Sequence, residues 1–172
     1  MQTNRAIYFA LCDEDDEGVS LISLVADPAT GYNLTIEQDD VEGMIITAPV
    51  LTANELIYRR GVEEDYYIIF PPATISEIIK RANEGRTLYA YSTEHSHNTD
   101  AILPIASYQT NENLEINGIP EGSWVVSLFI QDNGLKTAIR QRKLNGLSIE
   151  GLFSFEQVDP KELIELIDNY DD

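Results

Sequence analysis

The sequence predicts an α+β domain with a barrel-like succession of strands. Two observations carry this. Short segments rich in Val, Ile, Tyr and Phe follow one another along most of the 172 residues, which is the signature of strands. Helical periodicity appears only three times and is inserted among consecutive strands, so the pattern is not the regular βαβ alternation of a parallel sheet. The count is roughly seven or eight strands and three helices.

Residues 5–11 read as the first strand, with Ile7, Phe9 and Leu11 on one side. The acidic run at 13–17, closed by Gly18, reads as a solvated loop. Its consecutive carboxylates point in different directions, which argues against a metal site there. Residues 19–25 form a second apolar segment, stopped by Asp27-Pro28. Residues 35–42 alternate as an acidic edge strand. Residues 44–51 are strand-like, and Pro49 argues against a central position for them. Tyr58-Arg59-Arg60-Gly61 is a turn signal, and 66–70 is a strand by its aromatic and β-branched content.

Pro71-Pro72 opens the clearest helix. Thr74 and Glu77 have the spacing of a capping box, Ile75, Ile78, Ile79 and Ala82 recur at helical spacing, and Gly85 is a natural stop. Residues 87–93 return to strand and place His95 at its end. Residues 102–108 form another strand, 111–120 is polar with an Asn117-Gly118 turn, and 124–130 is a strong strand. Asp132-Asn133-Gly134 starts a helix with Leu135, Ile139 and Leu144 as its buried set. Its Lys136, Arg140, Arg142 and Lys143 are four of the eleven basic residues, and cations in a last turn complement the helix dipole. Residues 147–155 read as one strand, and 160–170 as a final acidic helix.

This length suits one domain with a real core, and 43% hydrophobic residues argue against disorder. There is no repeat, linker or second domain, so 1–172 reads as a single unit. A net charge of −19 repels phosphate backbones and excludes a nucleic-acid binder. A single cysteine, Cys12, cannot form an intrachain disulfide, which suits a reducing compartment. No apolar run approaches the roughly 18 residues of a membrane span, and no secretory segment precedes the first strand. The expectation is an intracellular protein that works among other proteins.

Phosphate-loop, paired-cysteine zinc and Gly-x-Ser-x-Gly patterns are absent from the sequence. The chemistry-bearing residues are few. The only two histidines, His95 and His97, fall in Thr93-Glu94-His95-Ser96-His97-Asn98. Ser148 stands in Gly146-Leu147-Ser148-Ile149-Glu150-Gly151. A serine hydroxyl is a weak nucleophile until a positioned base takes its proton, so a fold that brings these segments together makes a candidate serine hydrolase. A metal site at His95 and His97 with Glu94 and Asp100 lacks an evident further ligand, and no cofactor is expected. Without the juxtaposition, Ser148 is an ordinary strand residue.

Six blocks, in order from Gly18 to Phe155, resemble the phage serine proteases of the XkdF type. They are Gly18-Val-Ser-Leu-Ile-Ser-Leu-Val-Ala-Asp-Pro-Ala29; Val41-Glu-Gly-Met-Ile-Ile-Thr-Ala-Pro-Val-Leu51 with Ile57-Tyr58-Arg59; Glu64-Asp-Tyr-Tyr-Ile-Ile-Phe70; Glu94-His95; Pro120-Glu-Gly-Ser-Trp-Val-Val-Ser127; and Gly146-Leu-Ser-Ile-Glu-Gly-Leu-Phe153. That family is related to the prohead maturation proteases of tailed phages and, in fold, to herpesvirus assemblins. The resemblance implies a mostly antiparallel β-barrel of about seven strands surrounded by helices. It implies cleavage of phage scaffold and major capsid proteins inside the prohead, in the host cytoplasm, with self-association as a further expectation. It carries over Ser148 as nucleophile and His95 as general base. Backbone N–H groups near Ser148, with an arginine such as Arg140 or Arg142, are separate candidates for oxyanion donors.

Where related sequences have an acidic residue in the strand after the histidine, this chain has Ala106-Ser107-Tyr108. The other candidates for a third member are His97, Asp100, Glu112, Glu115 and Glu121, none at a motif position. Three readings follow, in order of preference: an active prohead endopeptidase, a degenerate protease-fold protein serving capsid assembly or head structure, and a non-phage acidic adaptor domain.

Overall fold

The computed structural model of the chain describes residues 5–85, 88, 90–112 and 118–163. In chain order the elements are β1 (Ile7–Leu11), β2 (Gly18–Val25), β3 (Thr35–Asp39), β4 (Met44–Leu51), β5 (Ile57–Arg59), β6 (Tyr66–Ile69), α1 (Pro72–Glu84), β7 (Tyr91–Thr93), β8 (His97–Thr99), β9 (Ile102–Gln109), β10 (Trp124–Ile130), α2 (Asn133–Arg140), β11 (Gly146–Leu152) and β12 (Ser154–Val158). A helical turn opens at Pro160, capped by Asp159, whose carboxylate accepts the Lys161 N–H at 2.9 Å. The rest of the expected final helix, and Glu115, lie outside the described residues.

The class is α+β and dominated by strands. The expected closed barrel is not formed among the described residues. The strands divide into three four-stranded sheets, ordered β12-β1-β6-β5, β3-β4-β10-β9 and β11-β2-β7-β8. Among the described residues all but two strand pairings are antiparallel; β1 with β6 and β2 with β7 are parallel. The sheets meet at corners. The Leu34 N–H donates to the Asn145 carbonyl at 2.6 Å, and the Asn54 N–H to the Phe70 carbonyl at 3.1 Å beside an Ala53–Phe70 bridge.

The third corner explains why 147–155 is two strands rather than one. β11 pairs with β2, and β12 pairs with β1. At Gly151 the chain comes so close to β2 that a Cβ would stand 2.2 Å from the Gly18 carbonyl oxygen. Only glycine fits there, and the strand changes sheet just beyond it. The strands missed in the sequence reading, such as β5 and β8, are three residues long. That is too short for a period of two to show.

A single core fills the space between the sheets, built from Ile22 and Leu24 of β2, Ile46 of β4, Trp124 and Leu128 of β10, Ile75 and Ile78 of α1, and Leu147 of β11. Trp124 is fully buried, and its indole N–H donates to Ser107 Oγ at 2.9 Å.

Pro49 does lie in an interior strand, contrary to expectation. The β4–β10 register skips at that point, so Leu51 faces Trp124 and Pro49 faces Val125. The β3 ladder extends only from Met44 to Thr47 on the other side. A bulge on one side and an open edge on the other remove the need for the missing N–H.

The capping box does not form either. Pro71 is the N-cap of α1, without a side-chain cap bond. The buried Thr74 hydroxyl donates instead to the Ala10 carbonyl at 2.9 Å and ties α1 to β1, while Glu77 accepts from Arg81 at 3.0 Å. At α2, which starts where expected, a cap is present: Asp132 Oδ1 accepts the Leu135 N–H at 2.8 Å. Lys136 joins Ile139 as a buried residue of α2, and Leu135 is only half-buried.

The acidic run is more than a solvated loop. Asp16 accepts the Asp13 N–H at 2.7 Å and the Ser154 N–H and hydroxyl at 3.1 Å each, and Arg81 donates to the carbonyls of Asp16 and Cys12. The Asp13 N–H, then the Ser154 donors, hold the Asp16 carboxyl below its ordinary value. A depressed carboxylate stabilises the fold above its unfolded pKa, and that contribution is lost as pH falls below roughly 4. Asp16→Asn is therefore expected to melt below the parent at pH 7, with the gap closing as pH falls below about 4. A gap that stays constant from pH 7 to pH 3 in thermal melts excludes this linkage.

Candidate active site

Sheet β11-β2-β7-β8 carries both the serine and the histidine. In its register Leu147 pairs with Leu24 and Ile149 with Ile22, and Ile22 pairs in turn with Tyr91. Leu147, Leu24, Ile22 and Tyr91 all lie in the core. Since successive residues of a strand alternate faces, the intervening positions form a polar row on the other face. Ser148 lies opposite Ser23, Ser23 opposite Ser92, and Ser92 opposite Asn98. Glu150, two residues after Ser148, shares that face of β11, at about 7 Å along the strand.

His95 reaches this face through a tight turn between β7 and β8. The Ser96 N–H donates to the Thr93 carbonyl at 3.1 Å, and the two central residues, Glu94 and His95, have φ of 49° and 55°. Two left-handed residues in succession are the sign pattern of a primed hairpin turn, which ordinarily takes Asn-Gly. Here it is imposed on a glutamate and a histidine by bonds to β2 and to Ala26 just after it. The Glu94 N–H donates to the Leu24 carbonyl at 2.9 Å, Glu94 Oε1 accepts the Ala26 N–H at 2.5 Å, and the His95 N–H donates to Ser23 Oγ at 2.9 Å. The fully buried Ser92 hydroxyl donates to the same Ser23 oxygen at 2.9 Å.

The turn lays the imidazole across the sheet to β11. His95 Nδ1 stands 3.0 Å from Glu150 Oε1, with the two side chains 35% and 45% exposed. An ionised carboxylate only accepts, so Nδ1 is the donor in this contact, and in the neutral ring Nε2 is then the nitrogen with the free lone pair. The hydrogen bonds of His95 are to Ser23 and Glu150, not to Ser148. The Ser148 side chain is half-buried. At the start of β11, Gly146 lies under the loop that follows β2: a Cβ there would stand 2.6 Å from Pro28 Cγ and 3.0 Å from the Tyr32 carbonyl oxygen. That loop is pinned by the Tyr32 hydroxyl, which donates to Glu55 at 2.7 Å; this bond, with partial burial, pushes the Tyr32 pKa up to about 12.

The structure thus brings Ser148 and His95 to one face of one sheet and adds an acid that the sequence reading missed. Ala106 lies on β9, opposite Ser127, in the sheet that carries neither residue. The acid at the His95 ring is Glu150. Its signal was available: it stands two residues from Ser148 in a strand, so it shares the serine's face. The other candidates among the described residues do not bond to His95. His97 is exposed, with Nδ1 2.7 Å from Ser96 Oγ. Asp100 follows β8 in a bend, and Glu112 and Glu121 are exposed in the turns after β9 and before β10. Arg140 is committed to Asp39, with Nε and Nη2 at 2.7 and 2.5 Å from its two oxygens. Arg142 follows α2 at φ 55° and lines a depression with Arg140, Leu34 and Ile139.

No protein-family model, curated protein or solved structure matches the chain.

The strained turn makes a separate expectation. A non-glycine residue in the left-handed region costs roughly 1–2 kcal/mol, and the exposed His95–Glu150 pair returns little of it. His95→Gly is expected to raise the melting temperature by about 2–4 °C and to abolish any activity that depends on the imidazole. A melting temperature at or below the parent's, measured by circular dichroism, shows that the turn stores no such strain.

Proposed function

We propose that the chain is a serine endopeptidase of the phage prohead maturation kind, acting on capsid or scaffold proteins. The observation that carries this reading is the His95 Nδ1 to Glu150 contact on the face of β11 that bears Ser148. In this reading His95 Nε2 takes the Ser148 hydroxyl proton as Oγ attacks the scissile carbonyl. Glu150 holds the imidazole in the tautomer that leaves Nε2 basic, and stabilises the imidazolium that forms. The same proton then passes from Nε2 to the departing amine. Water, deprotonated by Nε2, releases the acyl group and restores the serine. Backbone N–H groups beside Ser148 serve the oxyanion; Arg140, occupied by Asp39, is left out of that role.

The six ordered sequence blocks supply the substrate class, and the net charge of −19 suits basic protein segments as partners. An assemblin-like architecture belongs to the same reading. Its support is that the three sheets meet around one core, with β11 packed against β4.

A second reading, a protease-fold protein without activity that serves head assembly, is favoured by one observation: His95 bonds to Ser23 and Glu150 rather than to Ser148. Such contacts are often loose without substrate, which keeps the first reading ahead. The deciding experiment is incubation of the purified protein with capsid and scaffold precursors, in parallel with Ser148→Ala. Cleavage by the parent alone supports the endopeptidase. Binding to those precursors without cleavage supports the assembly role.

A further inference from the structure

The polar row contains two serines that the proposed reaction does not use. Ser23 and Ser92 are both 0% exposed, although they lie on the face of the sheet directed away from the core. Buried hydroxyls are kept where they satisfy other groups, and Ser23 Oγ serves two at once: the His95 N–H and the Ser92 hydroxyl, each at 2.9 Å. The first bond falls on one of the two strained residues of the turn, and Ser23 is also the residue directly opposite Ser148 in the β2–β11 register. One side chain therefore fixes the height of the histidine backbone above the strand that neighbours the nucleophile.

We infer that Ser23 is the positioning residue for His95, with the Ser92 hydroxyl orienting it. The inference rests on the hydrolase reading for its catalytic consequence, but its structural part stands apart from that reading. Ser23 touches neither substrate nor the reacting atoms. It acts by making the left-handed turn the only arrangement that satisfies both the His95 N–H and the Ser92 hydroxyl. Without the acceptor, the buried Ser92 hydroxyl and the part-buried His95 N–H lose their partner and the turn can relax toward ordinary φ, swinging the imidazole away from Glu150.

The test uses the full chain with Ser23→Ala and, as a matched control, Ser127→Ala, which removes half of a cross-strand hydroxyl pair with Thr47 (2.8 Å) in another sheet. Ser23→Cys, nearly isosteric but a poor acceptor, takes the place of the alanine variant if that does not fold. Native-state amide exchange and precursor cleavage are measured on each. Expected for Ser23→Ala are a rise of at least about 10-fold in exchange at the His95 amide, beyond any global change read at β10 amides, and a fall of about 10- to 100-fold in kcat with KM within about 2-fold. Ser127→Ala should change neither. The inference is overturned if His95 exchange rises only in step with the β10 amides, or if both variants lower kcat equally. If cleavage persists in Ser148→Ala, the hydrolase reading fails, and the His95 amide alone decides whether Ser23 holds the turn.

Discussion

Glu150→Gln is expected to lower kcat for precursor cleavage by about 10^3- to 10^4-fold while leaving the melting temperature within roughly 2 °C of the parent. The two effects separate because they depend on different properties of the same contact. The Glu150 and His95 side chains are 45% and 35% exposed, and an ion pair this open contributes at most about 1 kcal/mol to stability. In the proposed mechanism catalysis depends on the contact differently. A carboxylate can only accept at Nδ1, so it fixes the tautomer with Nε2 basic. A glutamine amide can donate to Nδ1 and so stabilise the tautomer that has its proton on Nε2, where the serine proton must go. It also removes the charge that stabilises the imidazolium. Steady-state kinetics and thermal melts on the same preparation check both halves. A kcat within about 5-fold of the parent removes Glu150 from the mechanism and leaves His95 without an orienting acid.

Ser148→Ala has the larger expected effect, a loss of about 10^4- to 10^6-fold in kcat, down to the level that binding and oxyanion donors alone can supply. Stability should again change little, within about 0.5 kcal/mol. Ser148 is half-buried on an edge strand, and its hydroxyl is not among the bonds that hold the turn or the β2–β7 pair. A severe kinetic effect without a stability effect is what distinguishes a nucleophile from a strand residue. A variant that cleaves as fast as the parent refutes the assignment. A parent that never cleaves moves the protein to the assembly reading.

The other side of the stability balance is at His95. The turn that carries it takes left-handed φ at two non-glycine positions. Strain of this kind persists where surrounding bonds over-determine it, and here those bonds come from Leu24, Ala26 and Ser23. The residues that take this turn without strain are Asn-Gly.

How much of this was legible in the sequence follows the range of each interaction. The strands β2, β4, β9 and β10 and the helices α1 and α2 were readable because β-branched content, helical periodicity, proline and the Asp132-Asn133-Gly134 start act within a few residues. The division of 147–155 into two strands was not, because it depends on how closely Gly151 approaches Gly18, far away in the chain. Pro49 misled for a similar reason: its cost depends on what each neighbouring strand requires of it, and β3 stops short of it. Thr74 and Glu77 had the right spacing for a cap, yet Thr74 found a better partner in the Ala10 carbonyl across the core.

The site divides along the same line. Sequence determined that this chain has only two imidazoles, that one ends a strand, and that a serine and a glutamate stand two apart in a late strand and so share a face. Tertiary structure decided which acid meets His95. The sheet order β11-β2-β7-β8 puts the histidine turn one strand away from β11, and the Ser23 hydroxyl sets its height. Ala106 was placed by pattern where an acid was expected, but β9 belongs to another sheet. Which side chains meet across strands is a matter of register and sheet order, and these are fixed by burial over the whole core rather than by the residues at the site.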